Sequence, residues 1–249
     1  MTFLTFVLIF LVAAWAGAQN ALAGGGSFLI LPTLMFSGLD ALAANITSCV
    51  ALFPGQIATG WAGRAHAGGV GGLSLKALFA ISILGGALGA AILLLTPAAF
   101  FARLVPWLVL FATGVFVWGS FFRKATKTSA HIGPVSAGLA QFAISVYGGY
   151  FGGGIGFLMM AALTLAGENA RTASATKNVL AGVMNASAVL IFLFSPDLRW
   201  PQAIATAAGA TLGGLFGVRL LHRLDERVLR MAIAVIGVAL TIGLFATQR

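Results

Sequence analysis

Two glycine clusters stand at corresponding points of the chain, each at the start of a short apolar segment. The clusters are Gly24-Gly25-Gly26 and Gly152-Gly153-Gly154, and the segments run over roughly 26–37 and 155–166. If each segment is a helix, its first backbone N–H groups lack intrahelical acceptors and lie at the positive end of the helix dipole. Such an end binds oxyanions, and glycine allows close approach to the backbone. We therefore expect an anion site at the two breaks; the alternative is that the glycines serve tight packing or a kink.

Polar side chains interrupt the apolar stretches near both clusters. Hydroxyl and amide groups can donate hydrogen bonds to an oxyanion. They can equally bond to a neighbouring helix or back to their own. Besides the six glycines, the candidates for substrate contact are Ser27, Gln19, Asn20, Asn45, Thr47, Thr176, Lys177 and Asn178.

Lys177 is the candidate that carries a positive charge. It lies about two turns into a predicted helix, where it could attract an anion. Its aliphatic stem could equally be buried while the ammonium reaches the membrane interface. The sequence favours neither role of Lys177 over the other.

The elements that must position these residues are membrane helices. The chain has 249 residues, of which 60% are hydrophobic and 8% are charged, and its mean hydropathy is +1.03. A soluble domain carries about 25% charged residues, so the composition predicts an integral membrane protein.

The net charge of +9 does not indicate nucleic-acid binding, because the basic residues lie between apolar stretches. The single cysteine, Cys49, excludes an internal disulfide and a cysteine-based metal site.

Two copies of one unit make up the chain. An offset of 129 places Thr47 on Thr176, and an offset of 124 places Gly85-x-x-x-Gly89 on Gly209-x-x-x-Gly213. The small-residue spacing in the latter pair predicts helix-packing faces. We assign a first membrane repeat to 1–122, a connecting loop to 123–132 and a second repeat to 133–249.

Each repeat is predicted to contain a first helix, the short segment and three full spans. Asp40 and Asn169 are expected to cap the span that follows each short segment. A spanning helix needs about 20 residues, so the short segments cannot cross alone. The longer predicted helices lie near 2–22, 41–62, 75–95, 104–122, 133–150, 171–193, 201–221 and 228–247.

The basic residues predict how these helices thread the membrane. If each short segment returns the chain to the side where its helix began, all Lys and Arg residues except Arg103, Arg199 and Arg249 lie on one side. Basic residues favour the cytoplasm, so both termini are predicted to be periplasmic. Each repeat then makes an odd number of passages, which predicts an all-α membrane protein with two inverted repeats. Such repeats with broken helices are typical of secondary transporters.

The chain resembles the sulfite exporter TauE/SafE family of bacterial membrane transporters. The resemblance rests on AGGGSFLILPTLMFSGLDALAANITS and its partner FGGGIGFLMMAALTLAGENARTASATKN. Pro32 stands in the first short segment, and no proline matches it in the second. The resemblance implies transport of sulfite or an organosulfonate across the bacterial inner membrane.

No carboxylate lies securely within a predicted span. We therefore prefer electrogenic export, since the inside-negative potential itself expels an anion. The alternatives are a coupled importer of organosulfonates, an anion channel or a non-transporting scaffold.

Enzymatic activity is disfavoured, because G-x-S-x-G, H-E-x-x-H and intramembrane acid pairs do not occur. We expect no metal or cofactor; the expected partners are a small sulfur-containing anion, the lipid bilayer and, as one option, a second copy of the chain in a homodimer.

Overall fold

The computed structural model describes residues 2–22, 26–122, 133–217 and 226–247. Gly24, Gly25, the predicted loop 123–132 and Arg249 lie outside these ranges. The described residues form ten α-helices and no β-strand. In chain order they are α1 (Phe3–Leu22), α2 (Ser27–Phe36), α3 (Ala41–Gly63), α4 (Leu75–Leu95), α5 (Ala98–Val117), α6 (Pro134–Tyr150), α7 (Ile155–Leu165), α8 (Ala170–Phe192), α9 (Trp200–Leu212) and α10 (Glu226–Thr247).

These helices confirm the all-α membrane class predicted from composition. Within the described ranges, α1, α3, α4, α5 and α8 are each long and apolar enough to cross a bilayer. The helices α2 and α7 are shorter, as predicted for the two segments after the glycine clusters. The helix α5 begins at Ala98, six residues before the predicted start of its span, because the apolar residues before Arg103 continue the helix back to Pro97.

The helices α3 and α8 begin with side-chain caps at equivalent positions. Asp40 accepts a hydrogen bond from the Ala43 amide at 3.0 Å. Asn169 accepts hydrogen bonds from the amides of Arg171 and Thr172 at 3.1 and 3.0 Å. Both predicted N-caps are confirmed, and they fix where each of these helices starts.

The two halves of the chain pack against each other through reciprocal pairs of helices. The helix α1 packs on α9 while α4 packs on α6, and α3 contacts α9 while α8 contacts α4. The helices α2 and α7 reach α10 and α5 in the same reciprocal way. When α1 to α5 are matched in order to α6 to α10, every contact named here has an equivalent contact. The packing of α1 on α9, for example, corresponds to the packing of α6 on α4.

The helices α3 and α8 cross the centre of this arrangement in opposite directions. Near the start of α3, the hydroxyl of Thr47 accepts a hydrogen bond from the Arg199 amide, which follows the end of α8. Near the end of α3, Gly60 lies beside the backbone of Asn178, which is in the third turn of α8. The two helices are therefore antiparallel.

Glycines allow the outer helix pairs to approach closely. A Cβ at Gly85 would lie 2.6 Å from the Cβ of Ser145 on α6. A Cβ at Gly209 or Gly213 would clash with the α1 backbone carbonyls of Phe10 and Ala14, respectively. The predicted small-residue packing faces are confirmed, since a larger side chain at these positions would separate the helices.

Candidate functional site

The second glycine cluster forms a sharp turn into α7. Gly152 has φ +75° and Gly154 has φ +76°, a conformation that residues with a Cβ rarely adopt. Gly154 is the N-cap of α7, and no side chain there accepts a hydrogen bond from the first turn. The carbonyl of Gly153 accepts a hydrogen bond from the hydroxyl of Tyr147 at 2.9 Å. The first backbone N–H groups of α7 therefore follow a glycine turn and receive no side-chain cap.

The first glycine cluster needs glycine for a different reason. Gly26, the N-cap of α2, has an ordinary right-handed conformation. A Cβ at Gly26 would lie 2.8 Å from the Ala16 carbonyl oxygen, so close packing on α1 demands glycine. The amide of Gly26 also donates a 3.4 Å hydrogen bond to the side-chain oxygen of Asn20. The first break thus needs glycine for close packing on the α1 backbone, and the second break needs glycine for positive φ.

A small polar cavity lies between the starts of α2 and α7. Its volume is about 50 Å³, which is room for several water molecules or one small anion. None of the described residues lining it is acidic. Residues on either side of the first glycine cluster, the second cluster, the C-terminal half of α3 and the second and third turns of α8 form the lining. It consists of Asn20, Ser27, Gln56, Thr59, Gly152, Gly154, Ile155, Gly156, Lys177, Asn178 and Ala181.

Lys177 contributes the basic side chain of this cavity. Its stem lies over Gly156, where a Cβ would be 3.8 Å from Cδ and 3.9 Å from Nζ of the lysine. Among the described residues the ammonium has no acidic partner and no hydrogen bond. The charge is therefore held beside the start of α7 and is available to a negatively charged ligand.

Five lining residues were not predicted from the sequence: Gln56, Thr59, Ile155, Gly156 and Ala181. Gln56 and Thr59 lie one turn apart on α3 and face the cavity together. The hydroxyl of Thr59 donates to the carbonyls of Gly55 and Gln56, so it can offer only its lone pairs to a ligand. Gln56 had a sequence signal, because it matches Asn185 at the offset of 129; Thr59 had none.

Thr47 and Thr176 lie away from the cavity and have equivalent structural contacts. The Thr47 hydroxyl accepts from the Arg199 amide at 3.2 Å, and the Thr176 hydroxyl accepts from the Gly68 amide at 3.0 Å. Each threonine is fully buried in one half, and each binds the loop that follows the central helix of the other half. The structure therefore places Thr47 and Thr176 in hydrogen bonds that link the two halves.

Gln19, Asn45 and Gly153 also lie outside the lining of the polar cavity. Gln19 is buried in α1. The side-chain nitrogen of Asn45 donates to the Tyr150 carbonyl at 3.1 Å. Asn45 and Gly153 border a neighbouring, mostly apolar cavity of about 10 Å³, to which Ser27 also contributes. Asn45, in the second turn of α3, therefore lies near Gly153 of the second glycine break.

An open vestibule adjoins the polar cavity at the end of α3 and the start of α8. Its volume is about 540 Å³, and Thr59 and Asn178 line both spaces. His66 and Arg171 line the vestibule as well. A ligand entering from this end would pass basic side chains before it reached Lys177.

The amino-acid sequence of the chain matches a known family. The family described as sulfite exporter TauE/SafE matches residues 9–244, which is nearly the whole chain. The chain belongs to the sulfite exporter TauE/SafE family. The resemblance inferred from the two glycine-break motifs is thereby confirmed, and the chain is a member of a family of membrane transporters.

Curated relatives carry names that agree with this assignment. The chain is 26% identical to the probable membrane transporter protein YfcA of Escherichia coli strain K12, over 94% of this chain and 87% of that protein. It is also 26% identical to a probable membrane transporter protein of Haemophilus influenzae, over 94% and 92% of the two chains. A third relative, probable membrane transporter protein ORF9 of Sinorhizobium sp, is 26% identical over 99% and 94%. No solved structure matches the chain.

Proposed function

We propose that this TauE/SafE family member is a secondary transporter of a small sulfur-containing oxyanion, sulfite or an organosulfonate, across the bacterial inner membrane. The observation that carries the proposal is the polar cavity at the starts of α2 and α7, with Lys177 beside it and no acidic residue in the described lining. Helix N-termini and an ammonium favour a negatively charged ligand.

Binding in this cavity requires hydrogen-bond donors rather than covalent chemistry. Ser27, Ile155 and Gly156 line the cavity within the first turns of α2 and α7, where backbone N–H groups have no acceptor in their own helix. Lys177 would add charge-assisted hydrogen bonds. A sulfonate or sulfite oxygen accepts such bonds without releasing a proton. We therefore propose binding and release as the whole cycle, with no catalytic step.

The reciprocal contacts between the halves support inverted repeats. The helices α3 and α8 are equivalent in sequence and antiparallel in space. Thr47 and Thr176 each accept a hydrogen bond from a loop of the opposite half. Such halves can rock about a central site so that it opens to each side in turn. We propose alternating access of this kind, with the axis of the rocking near the centre of α3 and α8.

The proposed direction is export driven by the membrane potential. Arg64 and Arg171 lie at the vestibule end of α3 and α8, and basic residues favour the cytoplasm. The vestibule would then open to the cytoplasm and the termini would be periplasmic. An anion leaving the cell gains about 2.3 kcal/mol per charge per 100 mV.

Flux measurements in proteoliposomes test this function. Vesicles would be loaded with sulfite, sulfoacetate or taurine, and a potential would be imposed with potassium and valinomycin. We expect efflux of sulfite or sulfoacetate that accelerates when the interior is negative. Flux that requires a proton or sodium gradient would replace electrogenic export with coupled transport, and discrete single-channel currents would identify a channel. If the folded protein neither binds nor moves any of the three, the sulfur-anion proposal is wrong.

A further inference from the structure

Gln56 is held by a residue of the opposite half. Its side-chain oxygen accepts a hydrogen bond from the side-chain nitrogen of Asn185 at 2.5 Å, across the antiparallel contact of α3 and α8. Asn185 is fully buried, whereas Gln56 is half-buried and lines the polar cavity. The buried asparagine therefore lies behind the glutamine as seen from the cavity.

A second, weaker contact agrees with this orientation of the Asn185 amide. The thiol of Cys49 on α3 points to the side-chain oxygen of Asn185, with sulfur and oxygen 4.0 Å apart. A thiol donates weakly and an amide oxygen accepts. The oxygen of Asn185 thus faces the thiol, and its nitrogen faces Gln56.

This arrangement leaves one group of Gln56 for the cavity. An amide carries one acceptor and two N–H donors. The oxygen of Gln56 is occupied by Asn185, while its nitrogen has no hydrogen-bond partner among the described residues. Without the partner, the amide could turn by about 180° and present its oxygen, whose lone pairs would repel an anion.

We propose that Asn185 is a positioning residue: it orients the amide of Gln56 so that N–H donors, and not the carbonyl oxygen, face an oxyanion in the polar cavity. The inference rests on the proposed anion transport. Asn185 does not line the cavity, so its effect on affinity passes through Gln56. The selectivity of the cavity for an acceptor-only ligand then depends on a hydrogen bond between the two halves.

The test uses the full-length purified protein and two ligands, sodium sulfite and sulfoacetate. Binding is measured by calorimetry and transport by proteoliposome flux. Asn185→Leu keeps roughly the size of the side chain but removes the donor without adding a charge, so nothing holds the Gln56 oxygen away from the cavity. We expect the Kd and the transport KM to rise roughly tenfold or more, with a smaller change in the maximal rate.

A double-mutant cycle separates positioning from a purely structural role. Asn185→Ala and Gln56→Ala should each weaken binding, and the double variant should bind no more weakly than Gln56→Ala alone. Thermal unfolding of each variant reports whether it is folded. If Asn185→Ala does not fold, Asn185→Leu is measured in both the wild-type and the Gln56→Ala backgrounds. Without Gln56 there is no amide to reverse, so the Leu substitution should then no longer weaken binding.

Gln141→Ala is the matched control. Gln141 is a comparably buried amide on α6 that donates to Ser82 and Ser145, away from the polar cavity. We expect this variant to lose stability but to keep its affinity. Equal losses from Asn185→Ala with and without Gln56 would overturn the inference, as would unchanged affinity in both Asn185 variants. If the wild-type protein binds neither ligand, the proposed function itself fails, and the inference fails with it.

Discussion

At the scale of single residues, a lysine within a spanning helix needs a physical reason to be there, because burying a charge in a membrane is costly. Lys177 lies over Gly156 at the start of α7 and borders a cavity that holds no acidic side chain among the described residues. A mobile anion would supply the missing partner when it binds. The charge of Lys177 and its position beside the second glycine break then have a common reason.

The first residue-scale prediction concerns that charge. Lys177→Met keeps the apolar stem and removes the ammonium, so it should weaken anion binding roughly tenfold to a hundredfold, the range expected for losing a charged hydrogen bond. Lys76→Met is the control, because Lys76 is exposed at the start of α4 and does not line the cavity. Binding and flux of sulfite would be measured for both variants. Wild-type affinity in folded Lys177→Met protein would remove this lysine from the site.

The second residue-scale prediction concerns backbone conformation. Gly154→Ala places a Cβ on a residue with φ +76°, and that Cβ would lie 2.7 Å from the Cβ of Ala112 on α5. The conformational cost alone is about 1–2 kcal/mol. We expect a lower Tm in detergent and weaker anion binding. Gly114→Ala, where a Cβ meets nothing within 4 Å, should leave both unchanged or slightly raise the Tm. A Gly154→Ala protein as stable as wild type would contradict the described turn.

At the scale of elements, the bounds of most helices follow from local signals in the sequence. Asp40 and Asn169 cap α3 and α8 because their carboxylate and amide oxygens accept from free backbone amides of the first turn. The starts of the short helices follow from the glycines before them. The packing partners of each helix required the structure, since the sequence periodicity of a largely apolar helix does not say which face meets protein and which meets lipid.

An adjacent pair of glycines at the end of α9 tests the packing between elements. A Cβ at Gly213 would clash with the Ala14 carbonyl on α1, whereas a Cβ at Gly214 would lie 3.7 Å from the nearest atom, the Gly17 carbonyl oxygen. Gly213→Ala should therefore separate α9 from α1 and lower the Tm by several degrees, while Gly214→Ala should change it little. Thermal unfolding in detergent compares the two. Equal Tm values would show that α1 and α9 are not in close contact at Gly213.

At the scale of the whole molecule, the function we propose depends on how two halves meet. The polar cavity takes residues from both: Ser27 and Gln56 come from the first half, and Gly154 and Lys177 from the second. A site shared in this way changes shape whenever the halves move relative to each other. That is the property a carrier needs in order to expose one site to two sides of a membrane in turn.

Labelling of single cysteines tests the proposed orientation. Cys49 is replaced by alanine, and new cysteines are introduced at Lys76 and Asp197. Lys76 is predicted to be cytoplasmic and Asp197 periplasmic, because most basic residues lie on the side of Lys76. In intact cells, an impermeant maleimide should react with the cysteine at 197 but not with that at 76, and after lysis it should react with both. The reverse pattern would invert the orientation, and with it the direction in which the vestibule opens.

The sequence by itself determined the membrane class, the short helices after each glycine cluster and the family, because these depend on composition, local capping and recurring motifs; it also predicted the duplication. It also indicated Asn20, Ser27, Lys177 and Asn178 as polar residues near the breaks, and the structure places all four at the cavity. Only the tertiary structure separated them from Thr47 and Thr176, which tie the halves together, and added Gln56 and Thr59. The reason is physical: whether a side chain faces a cavity or a neighbouring loop depends on how its helix is rotated, and that rotation is set by contacts with residues more than a hundred positions away, such as Gln56 with Asn185.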